Sequence, residues 1–172
     1  LGTHRPVRVR PSDGYLWRLA EGSGMDESEL LAAARSAFEE AYVPYSEYPV
    51  GAALRADRKS VYTGCNIENA NYSNSLHAEE VALGKAVSDG TNSFEVLAVA
   101  SAAEDGVTPC GMCRQSLAEF CDDGFQIVCD APDGPSRYTL GELIPETITA
   151  AHLDAAGDGG ANGGRTAEEG ER

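Results

Sequence analysis

Three residues of the types that bind zinc lie in two short segments, each of which is predicted to open a helix. The segment "HAE" supplies His77, and the segment "PCGMC" supplies Cys110 and Cys113. The N-terminus of a helix lowers the pKa of a cysteine thiol and so favours the thiolate that a metal needs. One imidazole and two thiolates would leave a fourth position on zinc open for water, as in catalytic zinc sites. Taken alone, these signals fit a surface histidine and a redox or structural C-x-x-C; taken together, they predict a catalytic zinc site.

Glu79 follows two residues after His77, so its carboxylate can face a water molecule in the open position without binding the metal itself. A carboxylate in that place can accept a proton and later return it, which is general base and general acid catalysis by one group. The alternative is a solvated acid at the start of a helix, where the dipole favours negative charge. The order H-x-E followed by P-C-x-x-C is the signature of zinc-dependent nucleobase deaminases. All of its specified positions are present here, which favours the catalytic interpretation.

The elements that must position these residues follow from the spacing of apolar residues. Asp26, with Glu29 three residues later, is predicted to cap a first helix whose apolar pattern reaches Ala41 and stops before Pro44. The runs "YPVGAALRAD" and "SVYTGCNIEN" are predicted to form a hairpin. There follow a helix from "LHAEE" to Gly90, the strand "FEVLAVAS", a helix from "CGMC", the strand "FQIVCD", and a short strand and helix in "YTLGELIPETI". Strands that alternate with helices predict a sheet with helices on its faces.

Three blocks, "PYSEYPVGAAL", "GCNIENANYS" and "PCGMCRQSLAEFC", occur here in the order in which one enzyme family has them. The separation of 33 residues between His77 and Cys110 also fits that family. Over most of residues 27–148 the chain resembles the cytidine deaminase family. The resemblance implies an α/β fold, a three-layer α/β/α sandwich with a central mixed five-stranded sheet. It also implies Zn²⁺ as cofactor and the hydrolysis of cytidine and deoxycytidine to uridine and deoxyuridine, with release of ammonia, in pyrimidine salvage.

The resemblance further implies roles for residues at the matching positions. Glu79 would carry one proton from water to N3 of the base and another to the departing amine. Asn66 and Glu68, in "CNIEN", would bind the ribose, chiefly its 3′-hydroxyl, and the backbone at Ala78 would bind the edge of the pyrimidine. Tyr48 stands where the family has an aromatic that packs against the base, although a core aromatic on a strand is the alternative. Since a phosphate on the sugar would meet Glu68, we expect nucleosides to be preferred over nucleotides.

Some positions depart from the family pattern. Small single-domain members usually have cysteine and arginine where this chain has His77 and Glu80. Three thiolates leave Zn²⁺ with one net negative charge that an arginine can offset, whereas one neutral histidine and two thiolates leave none, so Glu80 becomes tolerable. Arg114 still matches the family and is expected to bond a thiolate. Ile148 stands where the family usually has a phenylalanine that reaches the active site of a neighbouring subunit.

The length of 172 residues fits one domain, predicted over residues 25–150, with Met25 a candidate for the true start. Residues 1–24 are predicted to be an N-terminal extension that is poorly ordered or upstream of that start. Residues 151–172 are predicted to be a disordered, Gly-rich acidic tail. Short family members form homotetramers, so the resemblance implies a homo-oligomer. A tetramer is favoured over the dimer found among relatives that share the histidine ligand.

The composition of the chain indicates its kinds of partner and its cellular compartment. The formal net charge of −15 disfavours a nucleic-acid partner. The sequence holds no apolar run of about 18 residues, so we expect no membrane association and a cytoplasmic protein. Five cysteines, an odd number, favour a reducing compartment and a metal or redox use over a disulfide framework. Only two lysines occur beside 28 acidic residues, a balance typical of proteins from halophilic organisms.

Two alternatives to cytidine deamination stay open. One is a related zinc deaminase that acts on another aminated base, such as dCMP or blasticidin S, although "CNIEN" and "CGMCRQ" favour free cytidine. The other is a catalytically inactive, zinc-stabilised binding protein. Glu79 argues against the second alternative, because a structural zinc site has no use for that acid and normally has four protein ligands.

Overall fold

The computed structural model describes residues 25–57, 60–103, 106–149 and 152–153. In chain order, the helices and strands are α1 (Glu27–Phe38), β1 (Val50–Arg55), β2 (Val61–Cys65), α2 (Ala78–Ser88), β3 (Val96–Ser101), α3 (Gly111–Ala118), β4 (Gln126–Cys129), β5 (Ser136–Thr139) and α4 (Leu140–Leu143). A short 3-10 helix, Tyr72–Asn74, lies between β2 and α2. The predicted hairpin is therefore β1 and β2, and the short strand and helix predicted near the end are β5 and α4.

The five strands form one sheet in the order β2-β1-β3-β4-β5. Strand β1 pairs antiparallel with both β2 and β3, and β4 pairs antiparallel with β5. Strands β3 and β4 are parallel. A parallel pair needs a crossover connection, and α3 lies in that connection. The sheet is mixed and five-stranded, as the resemblance implied.

Alternate residues of the sheet face two different helix layers, because side chains alternate along a strand. One face packs against α1 through Leu30, Leu31, Ala34, Ala53, Val96, Ala98, Ala100 and Val128. The other face packs against α2, α3 and α4 through a larger cluster that includes Leu54, Ala82, Leu83, Ala86, Leu97, Val99, Leu117, Ile127 and Leu140. One helix on one face and three on the other make the three-layer α/β/α sandwich, which confirms the predicted fold class.

A glycine on β2 allows α2 to lie directly against the sheet. A Cβ atom added to Gly64 would lie 2.2 Å from the carbonyl oxygen of Ala78 and 2.6 Å from the backbone nitrogen of Ala82. These distances are too short for any side chain, so only glycine permits this approach. Because Ala78 is the first residue of α2, the contact sets the position of the turn that begins with His77.

Helix α1 begins where the sequence predicts and ends earlier. The side chain of Asp26 accepts a hydrogen bond from the backbone N–H of Glu29, and the side chain of Glu29 accepts one from the backbone N–H of Asp26. This is the predicted capping box. The apolar pattern continues to Ala41, but the helix ends at Phe38. Pro44 disfavours a helical conformation just before it, and the intervening residues pair instead with the chain that follows β2.

The predicted extension over residues 1–24 lies outside the described residues, and so does the predicted tail apart from His152 and Leu153. Both stay predictions. Among the described residues, none of the helices combines the length and the apolar character that crossing a membrane requires.

Candidate active site and metal centre

Two helix N-termini carry the three predicted metal ligands. His77 is the N-cap residue of α2, Cys110 is the N-cap residue of α3, and Cys113 lies in the first turn of α3. His77 Nδ1 lies 3.1 Å from Cys110 Sγ and 3.3 Å from Cys113 Sγ, and the two sulfur atoms are 3.6 Å apart. The structure thus brings together the residues that the sequence singled out in two distant segments.

The spacing of these atoms fits a zinc ion. With Zn–S near 2.3 Å and Zn–N near 2.0 Å, a tetrahedron places its ligand atoms roughly 3.5–3.8 Å apart, close to the distances above. Within the described ranges, this is the one group of His, Cys, Asp and Glu side chains found with metal-binding spacing. Cys113 is buried, His77 is half-buried and Cys110 is exposed, so solvent reaches one side of the triad. That exposure suits a centre that keeps one coordination position for water.

The donor set also selects the metal. One imidazole nitrogen and two sulfur atoms favour zinc over magnesium or calcium, which take oxygen ligands. Burial raises the pKa of the Cys113 thiol, and the nearby negative charge of Glu79 raises it further. A bound divalent cation acts in the opposite direction, because a coordinated thiol loses its proton. The Cys113 side chain therefore becomes a thiolate when a metal ion binds to it.

Glu79 lies in the first turn of α2 and is buried, with only 5% of its surface exposed. Burial raises the pKa of this carboxyl group, and hydrogen bonds from its own backbone N–H and from the Cys113 thiol oppose that shift. The carboxyl group is thus in contact with Cys113 of the ligand triad, and Glu79 itself lies two residues after His77. A group placed there can exchange protons with a small molecule held at the metal.

A second set of backbone pairings brings the residues after β2 to the same place. Tyr42, just beyond α1, donates its N–H to the carbonyl of Asn66 and accepts the N–H of Glu68. Ile67, between them, exchanges two 2.9 Å hydrogen bonds with Leu76, the residue before His77. These pairings hold "CNIEN" between the end of α1 and the start of α2. These backbone contacts therefore position Asn66 and Glu68 beside the metal triad.

A cleft with a volume of about 390 Å³ opens beside the triad. Its lining consists of Tyr45, Ser46, Asn66, Glu68, Tyr72, Ser75, Leu76 and His77. Two predicted substrate-binding residues and one predicted metal ligand are among them. The size fits a nucleoside-sized ligand, since small-molecule sites commonly have volumes of about 300–1,000 Å³.

The side chains of Asn66 and Glu68 in the cleft are held by backbone groups. Asn66 Oδ1 accepts the N–H of Val50, and Asn66 Nδ2 donates to the carbonyl of Tyr48, both at 2.9 Å. Glu68 Oε2 accepts the N–H groups of Tyr45 at 2.9 Å and Ser46 at 3.2 Å. Hydrogen bonding from Ser46 and Tyr45 lowers the pKa of Glu68, so this carboxylate stays charged at neutral pH. Both side chains are thus fixed in orientation before any ligand binds.

Comparison with known proteins agrees with this geometry. The family described as the cytidine and deoxycytidylate deaminase zinc-binding region matches residues 25–129. The chain belongs to the cytidine deaminase family. A cytidine deaminase of Sporosarcina psychrophila is 44% identical over 135 residues, which are 78% of this chain and 99% of the relative. A cytidine deaminase of Halalkalibacterium halodurans is 40% identical over 131 residues, 76% of this chain and 99% of the relative.

Solved structures of the cytidine deaminase family superpose on the chain. The crystal structure of cytidine deaminase from Burkholderia pseudomallei matches with a TM-score of 0.69 at 35% identity, over 72% of this chain and 100% of that one. The cytidine deaminase of Mycobacterium tuberculosis matches with a TM-score of 0.63 at 37% identity, over 72% and 97% of the two chains. The fold and its family assignment therefore agree.

Several residues that line the cleft were not predicted from the sequence of this member of the cytidine deaminase family. Tyr45 and Tyr72 form an edge-to-face pair with ring centroids 5.8 Å apart, and Leu76 is about half exposed. Both tyrosines stand in the blocks "PYS" and "NYS" that carried the resemblance, which was the available signal. Tyr45 lies in a turn and Tyr72 in a 3-10 helix of three residues, and such short segments have no periodicity from which a shared wall could be inferred.

Two other predicted site residues have less direct placements. Tyr48 is 41% exposed and lies outside the lining of the cleft, with its hydroxyl group 3.5 Å from Ser101 Oγ. Ala78 is fully buried, and it is the first residue of α2. The first N–H groups of a helix have no partner within the helix. The backbone N–H of Ala78 is therefore of the kind that a ligand can use.

The departures from the family pattern have structural counterparts. Glu80 accepts a hydrogen bond of 3.4 Å from the backbone N–H of His77, so it caps the helix that carries the ligand. Arg114 differs from the prediction, because its guanidinium donates to the Pro109 carbonyl and to other oxygen acceptors, and the described bonds include none to a thiol. Ile148 is 58% exposed.

Proposed function

We propose that this chain catalyses the hydrolytic deamination of cytidine and deoxycytidine to uridine and deoxyuridine, with release of ammonia. The observation that carries the proposal is the convergence of His77 Nδ1, Cys110 Sγ and Cys113 Sγ beside the buried Glu79, at a nucleoside-sized cleft. The name of the Sporosarcina relative, cytidine deaminase, supports the choice of substrate. A structural zinc site would need neither the buried acid nor the cleft.

The proposed zinc ligands are His77, Cys110 and Cys113. When bound, zinc supplies Lewis acidity that lowers the pKa of a water molecule toward about 7, which provides a nucleophile for C4 of the base at neutral pH. The protein holds the three ligands on two helix N-termini, so their spacing is set by the packing of both helices on one sheet face. The cleft that reaches the triad at His77 is the proposed route for the substrate.

Glu79 is the proposed proton shuttle. It takes a proton from the attacking water and gives it to N3 of the pyrimidine, and it then moves the second proton of that water, from the new hydroxyl group on C4, to the departing amine, so that C4 becomes a carbonyl and ammonia leaves. Its position two residues after His77 keeps it beside the metal without occupying a coordination position. Its burial keeps bulk water from competing for the proton.

Asn66 and Glu68 are the proposed ribose-binding residues. An amide group can make four hydrogen bonds, and Asn66 uses one donor and one acceptor on the backbone, so a second of each remains. Glu68 directs Oε2 to two backbone N–H groups, which leaves Oε1 for a sugar hydroxyl. The backbone of Ala78 is proposed to bind the edge of the pyrimidine. The contact of Tyr48 with the base stays a prediction.

The preference for nucleosides over nucleotides has an electrostatic reason. Glu68 lies in the cleft with its pKa lowered by hydrogen bonding, so its negative charge would repel a phosphate group on the sugar. The net charge of −15 adds a long-range repulsion of the same sign. The dCMP alternative therefore requires a cationic partner for the phosphate that this cleft lining does not contain.

The cellular setting and the oligomeric state are also part of the proposal. We place the reaction in pyrimidine salvage in the cytoplasm of a halophilic organism, without nucleic-acid or membrane partners. Residues 25–150 are proposed as the catalytic domain of a homo-oligomer, with a tetramer favoured and a dimer possible. Sedimentation equilibrium in high potassium chloride distinguishes the two, and a monomer that turns over cytidine would contradict both.

The function is tested by incubating the purified chain with cytidine, deoxycytidine, dCMP and blasticidin S while the ultraviolet absorbance is followed. We expect turnover of both nucleosides and little or none of dCMP and blasticidin S. Chelation of zinc should abolish turnover, and added Zn²⁺ should restore it. If only dCMP or blasticidin S is consumed, the chain is another zinc deaminase. If zinc binds and no substrate is consumed, it is a zinc-stabilised binding protein.

A further inference from the structure

Arg114 follows Cys113 directly and makes three hydrogen bonds, each to an uncharged oxygen. Its Nε donates to the carbonyl of Pro109 at 2.6 Å, and its two terminal nitrogen atoms donate to the carbonyl of Leu143 at 2.7 Å and to the hydroxyl of Thr108 at 3.2 Å. Pro109 and Thr108 belong to the turn that leads into the first cysteine of the motif. Leu143 is the last residue of α4. One side chain therefore joins the metal-binding turn to the C-terminal end of the described fold.

Gln115, the next residue, contacts the same C-terminal segment. Its Oε1 accepts the hydroxyl of Thr147 at 2.7 Å, and its Nε2 donates to the carbonyl of Ile148 at 3.0 Å. Both ends of the amide are thus engaged by residues more than thirty positions away. Two consecutive residues of α3 hold residues 143–148, which we call the brace segment, against the helix that carries Cys110 and Cys113.

We propose that Arg114 and Gln115 are positioning residues that make the brace segment part of the metal centre. The peptide bond between Pro109 and Cys110 sets the direction in which the Cys110 side chain leaves the backbone. Arg114 holds the Pro109 carbonyl by a charge-assisted hydrogen bond and is itself held by the carbonyl of Leu143. Without this contact, the exposed Cys110 would sample orientations in which its sulfur is too far from His77 to share a metal ion.

The inference rests on the proposed ligand set, but it concerns how hydrogen bonds orient the ligands and not which residues bind the metal. Groups that orient metal ligands through hydrogen bonds commonly change metal affinity by roughly 10–100-fold when removed. A residue that only stabilises the fold would lower the melting temperature and leave the metal affinity of the folded protein unchanged. A residue that acts only through its positive charge would be replaced by lysine without loss. A positioning residue, a residue that only stabilises the fold and a residue that acts only through its charge can therefore be distinguished by the metal affinities and melting temperatures of the same variants.

The test uses Co²⁺ and Zn²⁺ binding to the full chain and does not depend on turnover. Three variants separate the contacts. Arg114→Lys keeps the positive charge and loses the planar guanidinium group that makes three hydrogen bonds. Gln115→Glu keeps the acceptor for Thr147 and loses the donor to Ile148. Thr147→Val loses only the hydroxyl group. Zinc affinity is measured by competition with a chelator. The thiolate-to-cobalt charge-transfer bands report whether both sulfur atoms remain bound.

Matched controls lie elsewhere on the surface. Arg137→Lys alters an exposed arginine that pairs with Glu27, and Gln126→Glu removes an exposed amide that donates to the carbonyl of Gly124. Both repeat the chemical changes made at Arg114 and Gln115, and the described side-chain hydrogen bonds of Arg137 and Gln126 go to Glu27, Pro135 and Gly124 and not to the brace segment. We expect them to bind zinc as the unaltered chain does.

We expect Arg114→Lys to weaken zinc binding by about 10–100-fold and to change the charge-transfer intensity, with smaller losses of the same kind for the other two variants. Circular dichroism at the binding temperature shows that each variant is folded. Unchanged affinity and cobalt spectrum in all three folded variants would overturn the proposal while leaving the ligand set intact. Unchanged zinc affinity and an unchanged cobalt spectrum in Arg114→Lys would show that positive charge at this position is enough, and would overturn the brace. An unaltered chain without cobalt–thiolate bands would overturn the ligand set, and the brace with it.

Discussion

Glu79 is the charged side chain that the described fold buries, at 5% exposure. A buried carboxyl group costs free energy unless it is neutral or well hydrogen-bonded, and burial indeed raises its pKa. Nothing in the packing of α2 requires an acid at that position, since Ala78 and Ala82 beside it are small and apolar. A local cost of this kind is expected where a residue is kept for function. The proposed proton transfer is such a function.

The first prediction concerns Glu79→Gln. The amide keeps the shape of the side chain and cannot carry a proton, so cytidine turnover should fall by about 10²–10⁴-fold. Zinc content by elemental analysis should stay stoichiometric, because Glu79 is not a proposed ligand. An exposed acid at the end of α3 provides the control, and Glu119→Gln should keep full turnover. Loss of zinc in Glu79→Gln would mean that a ligand has been misassigned.

The second prediction concerns the charge of the metal centre. His77→Cys replaces a neutral ligand by a thiolate, so the centre gains a negative charge next to Glu80, whose carboxylate contacts the backbone of the same residue. The single variant should bind zinc and lose activity, and the double variant with Glu80→Arg should recover part of it. The measurement is the rate of cytidine turnover per bound zinc. Equal rates for the single and double variants would remove the charge argument.

Among the secondary-structure elements, α2 and α3 matter most, because the N-termini of both helices carry the proposed metal ligands. Their spacing depends on how closely each helix packs on the sheet, and for α2 that distance is set by Gly64 on β2. A helix displaced by one side chain would carry His77 and Glu79 away from the two sulfur atoms. The geometry of the centre is therefore a property of helix-on-sheet packing and not of any one loop.

The third prediction concerns two glycines that a Cβ atom would affect in opposite ways. Gly64→Ala places a methyl group 2.2 Å from the carbonyl of Ala78, so we expect a loss of stability of about 1–3 kcal/mol. It should also weaken zinc binding, because α2 must shift. Gly84→Ala, within α2, meets no atom within 4 Å, and better helix propensity should raise stability by about 1 kcal/mol. Urea unfolding of both variants checks this, and similar effects would contradict the packing account.

The whole molecule carries a large negative charge that its local ion pairs do not offset. The net charge is −15, whereas the described ion pairs are three surface contacts, Arg35–Asp130, Arg55–Glu95 and Arg137–Glu27. Exposed pairs of this kind contribute little. Repulsion among the many acids therefore dominates the charge-dependent part of the stability.

The fourth prediction follows from that balance. Raising potassium chloride from about 0.1 M to about 1 M shortens the Debye length from about 10 Å to about 3 Å, which screens the repulsion. The melting temperature should rise by roughly a few degrees. Sucrose of matched osmolarity provides the control for effects other than screening. A fall in melting temperature with salt would show that the three ion pairs outweigh the net charge.

Much of the fold could be predicted because its signals are local. Asp26 and Glu29 cap α1 as their spacing predicts, and the apolar runs of β1 and β2 form the expected hairpin. The end of α1 was misplaced beyond Phe38, since the residues that follow are drawn into pairing with a segment about 25 positions later in the chain, through the Tyr42–Ile67 bridge. Long-range pairing of this kind leaves no periodic trace in the sequence.

The sequence by itself determined the family and was enough to predict the metal ligands and the proton-transfer residue, because His77, Glu79, Cys110 and Cys113 are defined by residue type and spacing along the chain. The tertiary structure decided what surrounds them. Only the folded chain brings Tyr45 and Tyr72 to the wall of the cleft, and only the folded chain places the Arg114 guanidinium against the carbonyls of Pro109 and Leu143. Such contacts join parts of the chain that are distant in sequence, and their geometry is set by how helices and strands pack together.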